Sequence, residues 1–321
     1  MSGTLKSHKY LLTIAIPTYN RAEYLERNLR SLYLQINGKE MPLEIIVSDN
    51  CSSDLTQAIV KNFIDDGMPI KYIRNSENYG AELNVIKCYK LALGEYVLVL
   101  GDDDILYDGA IDLILQFIRE GNYGVVHLKP NAYSKDYRIS ENISYKCCSI
   151  NTFISKVTYW VTFISSNIVN RKYVKEIDFS FYLGLNLPQV PLILHAALNA
   201  EKNLFIETAL IGVEPENSGG YNLFTVFGRN LMKILNTFLD KPKKDLIINK
   251  MLIEFFPYLI IKMRQKGERF KFNSSGKELR ESFSSFLFYW LFDFPIEILP
   301  LNLATKYLRI ERYIKKLIYK G

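Results

Sequence analysis

Short apolar runs that end abruptly in polar residues recur along the first 128 positions, and apolar residues at helical spacing fill the gaps between them. Tyr10 to Ile16 (YLLTIAI) predicts a first strand stopped by Pro17, and Asn20 with Glu23 three positions on has the form of a capping box. Leu25, Leu29 and Leu32 then mark one apolar stripe of a helix. Leu43 to Val47 predicts a second strand, closed by Ser48-Asp49-Asn50, with Ser52, Ser53 and Asp54 as caps for a helix bearing Leu55, Ile59 and Phe63. Ile70 to Ile73 is a third strand ending in Arg74-Asn75, and after the loop SENYG a helix with Leu83, Ile86 and Leu93 runs to Gly94. Tyr96 to Leu100 is apolar throughout, as suits a strand buried on both faces. It is followed by Gly101 and then Asp102, Asp103 and Asp104. Asp108-Gly109 opens a helix with Ile111, Leu115 and Ile118, and Tyr123 to Leu128 is a fifth strand. Strands alternating with helices in this way predict an α/β fold with a mostly parallel sheet flanked by helices.

The pattern weakens from about residue 129 to 149, where Tyr, Ser and Asn suggest an irregular excursion. Phe153 to Ile168 is apolar and aromatic, the second half of Leu183 to Leu198 has helical spacing, and Phe205 to Val213 reads as a strand closed by EPENSGGYN. After Asn222 the chain turns helical: one helix over Leu223 to Ile234, another over Leu246 to Met263 kinked at Pro257, and an aromatic segment, Phe283 to Phe294, too short to span a bilayer. Two domains are expected, 1–221 with halves meeting near 128, and a helical region 222–321.

Right-handed crossovers place the polar residues that close the strands on one rim of the sheet. Thr18, Asp49, Arg74, Asn78 and the three aspartates all belong there. Three adjacent carboxylates at the end of a buried strand repel one another unless a cation or donors meet them. The carboxyl end of a central strand is also where open α/β sheets bind ligands. The cluster therefore reads as a site for a hard divalent cation carrying a phosphorylated ligand, with an acidic helix-capping turn as the competing reading.

Nearly half of the 321 residues are hydrophobic and about a quarter charged, which excludes a disordered chain. The four cysteines, Cys51, Cys88, Cys147 and Cys148, have no metal-type spacing, and the start MSGTLKSHKY has no apolar core of a secretory leader. A reducing cytoplasm is the compartment these features imply. The net charge of +6 is uneven, since residues 1–240 carry −3 and residues 241–321 carry +9, with 17 Lys+Arg against 8 Asp+Glu. Interleaved with Phe, Trp, Tyr and Leu, that basic quarter suits an anionic membrane surface through 241–321, against the plainer reading of a small helical domain with a solvated face. No nucleic-acid motif accompanies it, and nucleic acid is not an expected partner.

Taken together, PTYNRAEYL, IIVSDNCSSD, RNSENYG and GEYVLVLGDDDIL resemble the N-terminal half of a family 2 glycosyltransferase of GT-A fold, over about residues 10–128. SSNIVNR and ENSGGYN resemble its abequosyltransferase-type branch, which works in bacterial O-antigen assembly. The resemblance implies a GT-A, Rossmann-like domain with a helical C-terminal extension. It implies a nucleotide-sugar donor, Mn²⁺ or Mg²⁺ as cofactor, and a lipid-linked oligosaccharide as acceptor at the inner face of the cytoplasmic membrane. Pro17, Thr18 and Tyr19 would line the base and ribose pocket, Asp49 would accept from the nucleobase, and Arg74, Asn78 and Gly80 would frame the nucleotide. The family pattern D-x-D-D has Gly101 in its first position here. Asp103 then best matches the metal ligand, with Asp104 beside it, and Asp102 takes the ribose contact.

A second departure concerns the base of inverting members, carried by an ED-like motif before a helix in the acceptor half. NLPQVPLILHAAL has Gln189 near that place, and glutamine cannot act as a general base. His195 is one substitute, with a core histidine as its plain reading, and Glu214 and Glu216 are others, with exposed loop carboxylates as theirs. Retention of anomeric configuration, needing no base, is a third route. A sugar-phosphate nucleotidyltransferase should carry a Gly-rich basic loop where this chain has PTYN. A non-catalytic nucleotide-sugar-binding subunit of an assembly complex is kept open by the missing ED motif.

Overall fold

The computed structural model describes residues 10–214, 222–265 and 276–318. The chain divides into two compact units, Met1–Pro215 and Glu216–Gly321.

In the first unit, the apolar runs become β1 (Leu12–Thr18), β2 (Leu43–Asp49), β3 (Ile70–Arg74) and β4 (Tyr96–Val99), joined by α1 (Ala22–Ile36), α2 (Thr56–Asp65) and α3 (Ala81–Leu91). They pair in the order 3-2-1-4, all parallel. Leu12, Ile14 and Ile16 of β1 and Leu98 of β4 share a core with Leu25, Leu29 and Leu32 of α1, all at most 1% exposed. The sheet then continues through β5 (Ile105–Leu106), β6 (Val125–Ala132), β7 (Tyr145–Cys148), β8 (Asn167–Asn170) and β9 (Asn203–Val213). Among these, β6 and β9 run with β1–β4, while β5, β7 and β8 run against them. Three helices, α4 (Ala110–Glu120), α5 (Ile150–Val157) and α6 (Gln189–Asn199), complete the unit.

Three local expectations change. The first strand does not stop at Pro17, because Pro17 pairs with Ser48 of β2 while β4 has already turned away after Leu100, whose N–H goes to Ala15. The missing proline N–H therefore forfeits no ladder bond on the β4 side. The capping box is absent. Asn20 sits at φ 51° and its carboxamide oxygen accepts from Ser53 N–H, while the first turn of α1 is capped from outside by Asp54, which accepts from Ala22 N–H at 2.9 Å. Leu55, Leu83 and Leu93, expected on apolar faces, are exposed. The buried side of α3 is made instead by Asn84, Ile86, Cys88 and Tyr89.

The second unit is helical: α7 (Leu231–Phe238), α8 (Lys241–Lys250), α9 (Phe256–Gln265), α10 (Gly276–Phe283), α11 (Phe294–Ile298) and α12 (Leu301–Ile318). Phe256, Phe283, Tyr289 and Ile296 are fully buried in it. The chain passes from α8 to α9 through a wide π turn, Met251–Phe255, just before Pro257, where a proline without an N–H is accommodated in the helical path. Among the described residues no helix is long and apolar enough to cross a membrane.

Candidate active site

The crevice opens where β1 and β4 part at their carboxyl ends, the switch point of the 3-2-1-4 order. Thr18 reaches across it, donating from Oγ1 to Asp102 Oδ2 at 2.7 Å. Arg21, at the start of α1, bridges two of the aspartates, with Nε 3.0 Å from Asp102 Oδ1 and Nη2 2.9 Å from Asp103 Oδ2. Asp104 has other partners. Its Oδ2 accepts from Ser165 Oγ at 2.6 Å, and its carboxylate also takes the Glu214 N–H. The main chain of the turn is pinned by Asn28, which donates to the carbonyls of Gly101 and Asp104, and by Arg27, which donates to the carbonyl of Asp103.

Asp102 and Asp103 are thus joined through Arg21, while Asp104, also close to Asp103, is engaged by Ser165 and the Glu214 N–H. Gly101 has a steric reason to stand where the family pattern has aspartate. A Cβ there would lie 3.0 Å from both Asp103 Oδ1 and Asp104 Oδ2. Burial pushes the Asp102 carboxyl up to about 6 against the opposing pull of Arg21 and Thr18, and burial with the neighbouring Asp103 pushes Asp104 up to about 7. Such groups favour a nearby cation.

Among the described residues no three His, Cys, Asp or Glu side chains gather into an all-protein metal cage. Magnesium-type ions do not need one, since one or two carboxylates suffice when substrate phosphates and water complete the shell. Hard, buried carboxylate oxygens at the mouth of a crevice fit such an ion, and Asp102 and Asp103 would hold it.

Along the rim, Asp49 is fully buried, its oxygens accepting from Ser52 N–H at 2.8 Å and Tyr72 Oη at 2.6 Å, with Arg74 Nε at 3.6 Å. What the structure shows it doing is to shape the β2–β3 rim. Asn78 accepts from Asn50 and from Gly80 N–H, and Gly80 has φ 84°, a conformation that calls for glycine. Pro17 and Tyr19 stand at the same rim, with Tyr19 exposed.

Of the base candidates, Glu214 is at the site: its Oε2 is 3.0 Å from Arg27 Nη2, and Arg27 also holds the Asp103 carbonyl. His195 is not brought there. The first residue of α6, Gln189, donates to Thr162 O, close to Ser165. Ala196, beside His195, instead lies against Gly124 at the N-terminal end of β6, the edge of the sheet away from the aspartates. Glu216 and the SGG loop lie outside the described residues.

Sequence reasoning missed Arg21, Arg27 and Ser165, and it missed Asn75, Asn84 and Lys87, which knit the rim through Asn50 and Ser48. It also missed Glu82, whose two oxygens accept the N–H groups of Gly184 and Asn186 at 2.7 Å each, tying the segment before α6 to the start of α3. The only signal for Arg21 and Arg27 was their spacing on α1, and charges on a helix read as its solvated side.

The sequence model described as Glycosyl transferase family 2 matches residues 13–177. The abequosyltransferase RfbV of Salmonella typhimurium is 31% identical over 207 residues, covering 56% of this chain and 59% of that one. A Campylobacter jejuni GalNAc(5)-diNAcBac-PP-undecaprenol beta-1,3-glucosyltransferase is 36% identical over 148 residues, 45% of this chain and 46% of that one. The chain thus spans about half the length of the curated relatives it matches. Residues 1–349 of S. aureus TarS, solved in complex with UDP-GlcNAc, superpose with a TM-score of 0.60 at 19% identity, covering 94% of this chain and 88% of that one. That likeness establishes the shared GT-A fold.

Proposed function

We propose, since the chain belongs to glycosyl transferase family 2, that it moves a sugar from a nucleoside-diphosphate donor to a hydroxyl of a bacterial surface polysaccharide, with Mn²⁺ or Mg²⁺ as cofactor. The observation that carries this reading is the pairing of Asp102 and Asp103 in one cradle beneath the β1–β4 crevice. Sugar transfer forms a bond from the acceptor oxygen to the anomeric carbon and breaks the bond to the diphosphate. A divalent cation, when bound, neutralises charge on that leaving group. Asp102 and Asp103 would hold it, Thr18 orients Asp102, and Asn28 and Arg27 fix the turn that presents both. Glu214 is the base candidate the geometry favours over His195, with its proton-accepting oxygens beside Arg27 at the same rim.

The full chain with Mn²⁺ should release free nucleotide from one member of a panel of UDP-, GDP-, CDP- and dTDP-sugars. Mn²⁺-independent or absent release across the panel would favour a non-catalytic binding subunit.

The acceptor we infer is lipid-linked, at the inner face of the cytoplasmic membrane. Supporting it are the +9 charge of residues 241–321 and the exposed Leu287, Trp290 and Leu291, which recur at helical spacing in the second unit. Tyr307 Oη donates to the Leu291 carbonyl, which places α12, with exposed Lys306 and Arg309, beside that apolar strip. The full-length chain should float with anionic vesicles at low salt and with neutral ones far less. Equal recovery with both, or none with either, contradicts membrane docking.

A further inference from the structure

The position of Arg21 is hard to reconcile with a passive surface charge. Its guanidinium spans two carboxylates that are 7% and 10% exposed, using Nε for Asp102 and Nη2 for Asp103. It also lies over the Tyr24 ring, 4.6 Å from the centroid. The backbone that carries it is fixed from both sides, since Asn20 N–H donates to Ser52 Oγ before it and Ala22 N–H donates to Asp54 Oδ2 after it. Any displacement of the charge therefore falls to the side chain, which is 28% exposed and has an aromatic face beside it.

Two adjacent carboxylates with little access to water are costly to keep ionised unless a positive charge lies beside them. A guanidinium and a divalent cation on the same oxygens repel each other, so the two compete for the pair. A guanidinium released at this mouth meets the approaching diphosphate, whose oxygens its planar fork suits.

We propose that Arg21 is the built-in counter-ion of the Asp102–Asp103 pair and exchanges with the divalent cation when metal and nucleoside diphosphate bind. The inference rests on the metal-dependent reading above. It makes the metal-free protein self-neutralised, and it makes strong metal binding conditional on a ligand that accepts the displaced arginine.

The test is Mn²⁺ titration of the full chain without nucleotide, following free aquo-Mn²⁺ by electron paramagnetic resonance, for the wild type, Arg21→Gln and Arg21→Lys. Arg21→Gln is expected to bind Mn²⁺ at least about tenfold more tightly than the wild type, within the usual range of coupling between sites. Its thermal midpoint should be lower than that of the wild type without metal and should rise further on adding Mn²⁺. Arg21→Lys keeps the charge but cannot bridge both carboxylates, so it should bind a few-fold more tightly than the wild type. Should Arg21→Gln fail to fold, the lysine variant decides. Affinity equal to or weaker than wild type in the folded variants overturns the exchange. A parallel titration with UDP, GDP, CDP and dTDP separates the two ideas. Wild-type Mn²⁺ uptake with one of them, together with unchanged affinity in the variants, sinks the exchange alone. No uptake by any protein under any condition sinks the metal reading with it.

Discussion

Asp103→Asn should lower kcat/KM for sugar transfer by about 10²–10³, or roughly 3–4 kcal/mol of transition-state stabilisation. The side chain keeps its shape, so the loss is electrostatic. Asp103 sits 2.9 Å from Arg21 and shares it with Asp102, and its own carbonyl is held by Arg27. The amide removes one of the two charges that can hold a cation against the leaving diphosphate, while Asn28 and Arg27 still pin the turn. The thermal midpoint should stay within a few degrees of wild type, because Arg21 retains Asp102 as a partner. Steady-state kinetics with the donor identified from the panel check this. A variant with near wild-type turnover would show that the charge of Asp103 is not used in the reaction.

Gly94→Ala is expected to damage the scaffold under the site. A Cβ at Gly94 would lie 2.6 Å from Thr13 N and 2.8 Å from Leu12 C, both backbone atoms of β1. Gly94 N–H also donates to Thr13 Oγ1 and its carbonyl accepts from Arg171 Nε, so the residue cannot slide away without losing bonds. Overpacking of this kind costs about 1–3 kcal/mol, and a shift of the β1–β4 register places this case at the upper end. For a unit of this size that is a fall in Tm of about 5–10 °C. Chemical and thermal unfolding of both proteins measure it, and an unchanged midpoint would mean that β4 approaches β1 less closely than described.

How much of this was legible follows from which interactions are local. The strands β1 to β4 were legible because each is an apolar run cut off by polar residues. The stripe Leu25, Leu29, Leu32 was legible because it repeats at 3.6 residues. The segment β8 was not: Asn167–Asn170 is four residues long with asparagine at both ends, and it becomes a central strand only by inserting between β4 and β6. Its asparagines are buried because Asn167 donates to the Trp160 and Phe163 carbonyls and Asn170 to the Tyr123 carbonyl, partners that no local pattern announces.

The same distinction runs through the site. Aspartates closing a buried strand signal a cation because their cost is local to those residues. Which partners each of them finds depended on Arg21 and on Ser165, 61 positions from Asp104. Asn20 looked like a helix cap because Glu23 follows at the right spacing, but its carboxamide is spent on Ser53, 33 residues away. His195 has a side chain of suitable chemistry on a helix that delivers it to the wrong edge of the sheet.

The measurement that bears most directly on the central claim is the affinity of the full chain for its nucleoside diphosphate, by calorimetric titration with and without Mn²⁺. If Asp102 and Asp103 hold a cation against the diphosphate, the metal should tighten nucleotide binding by about tenfold or more in the wild type, and Asp103→Asn should lose that linkage. Nucleotide binding of equal strength with and without Mn²⁺ in the wild type would contradict the account.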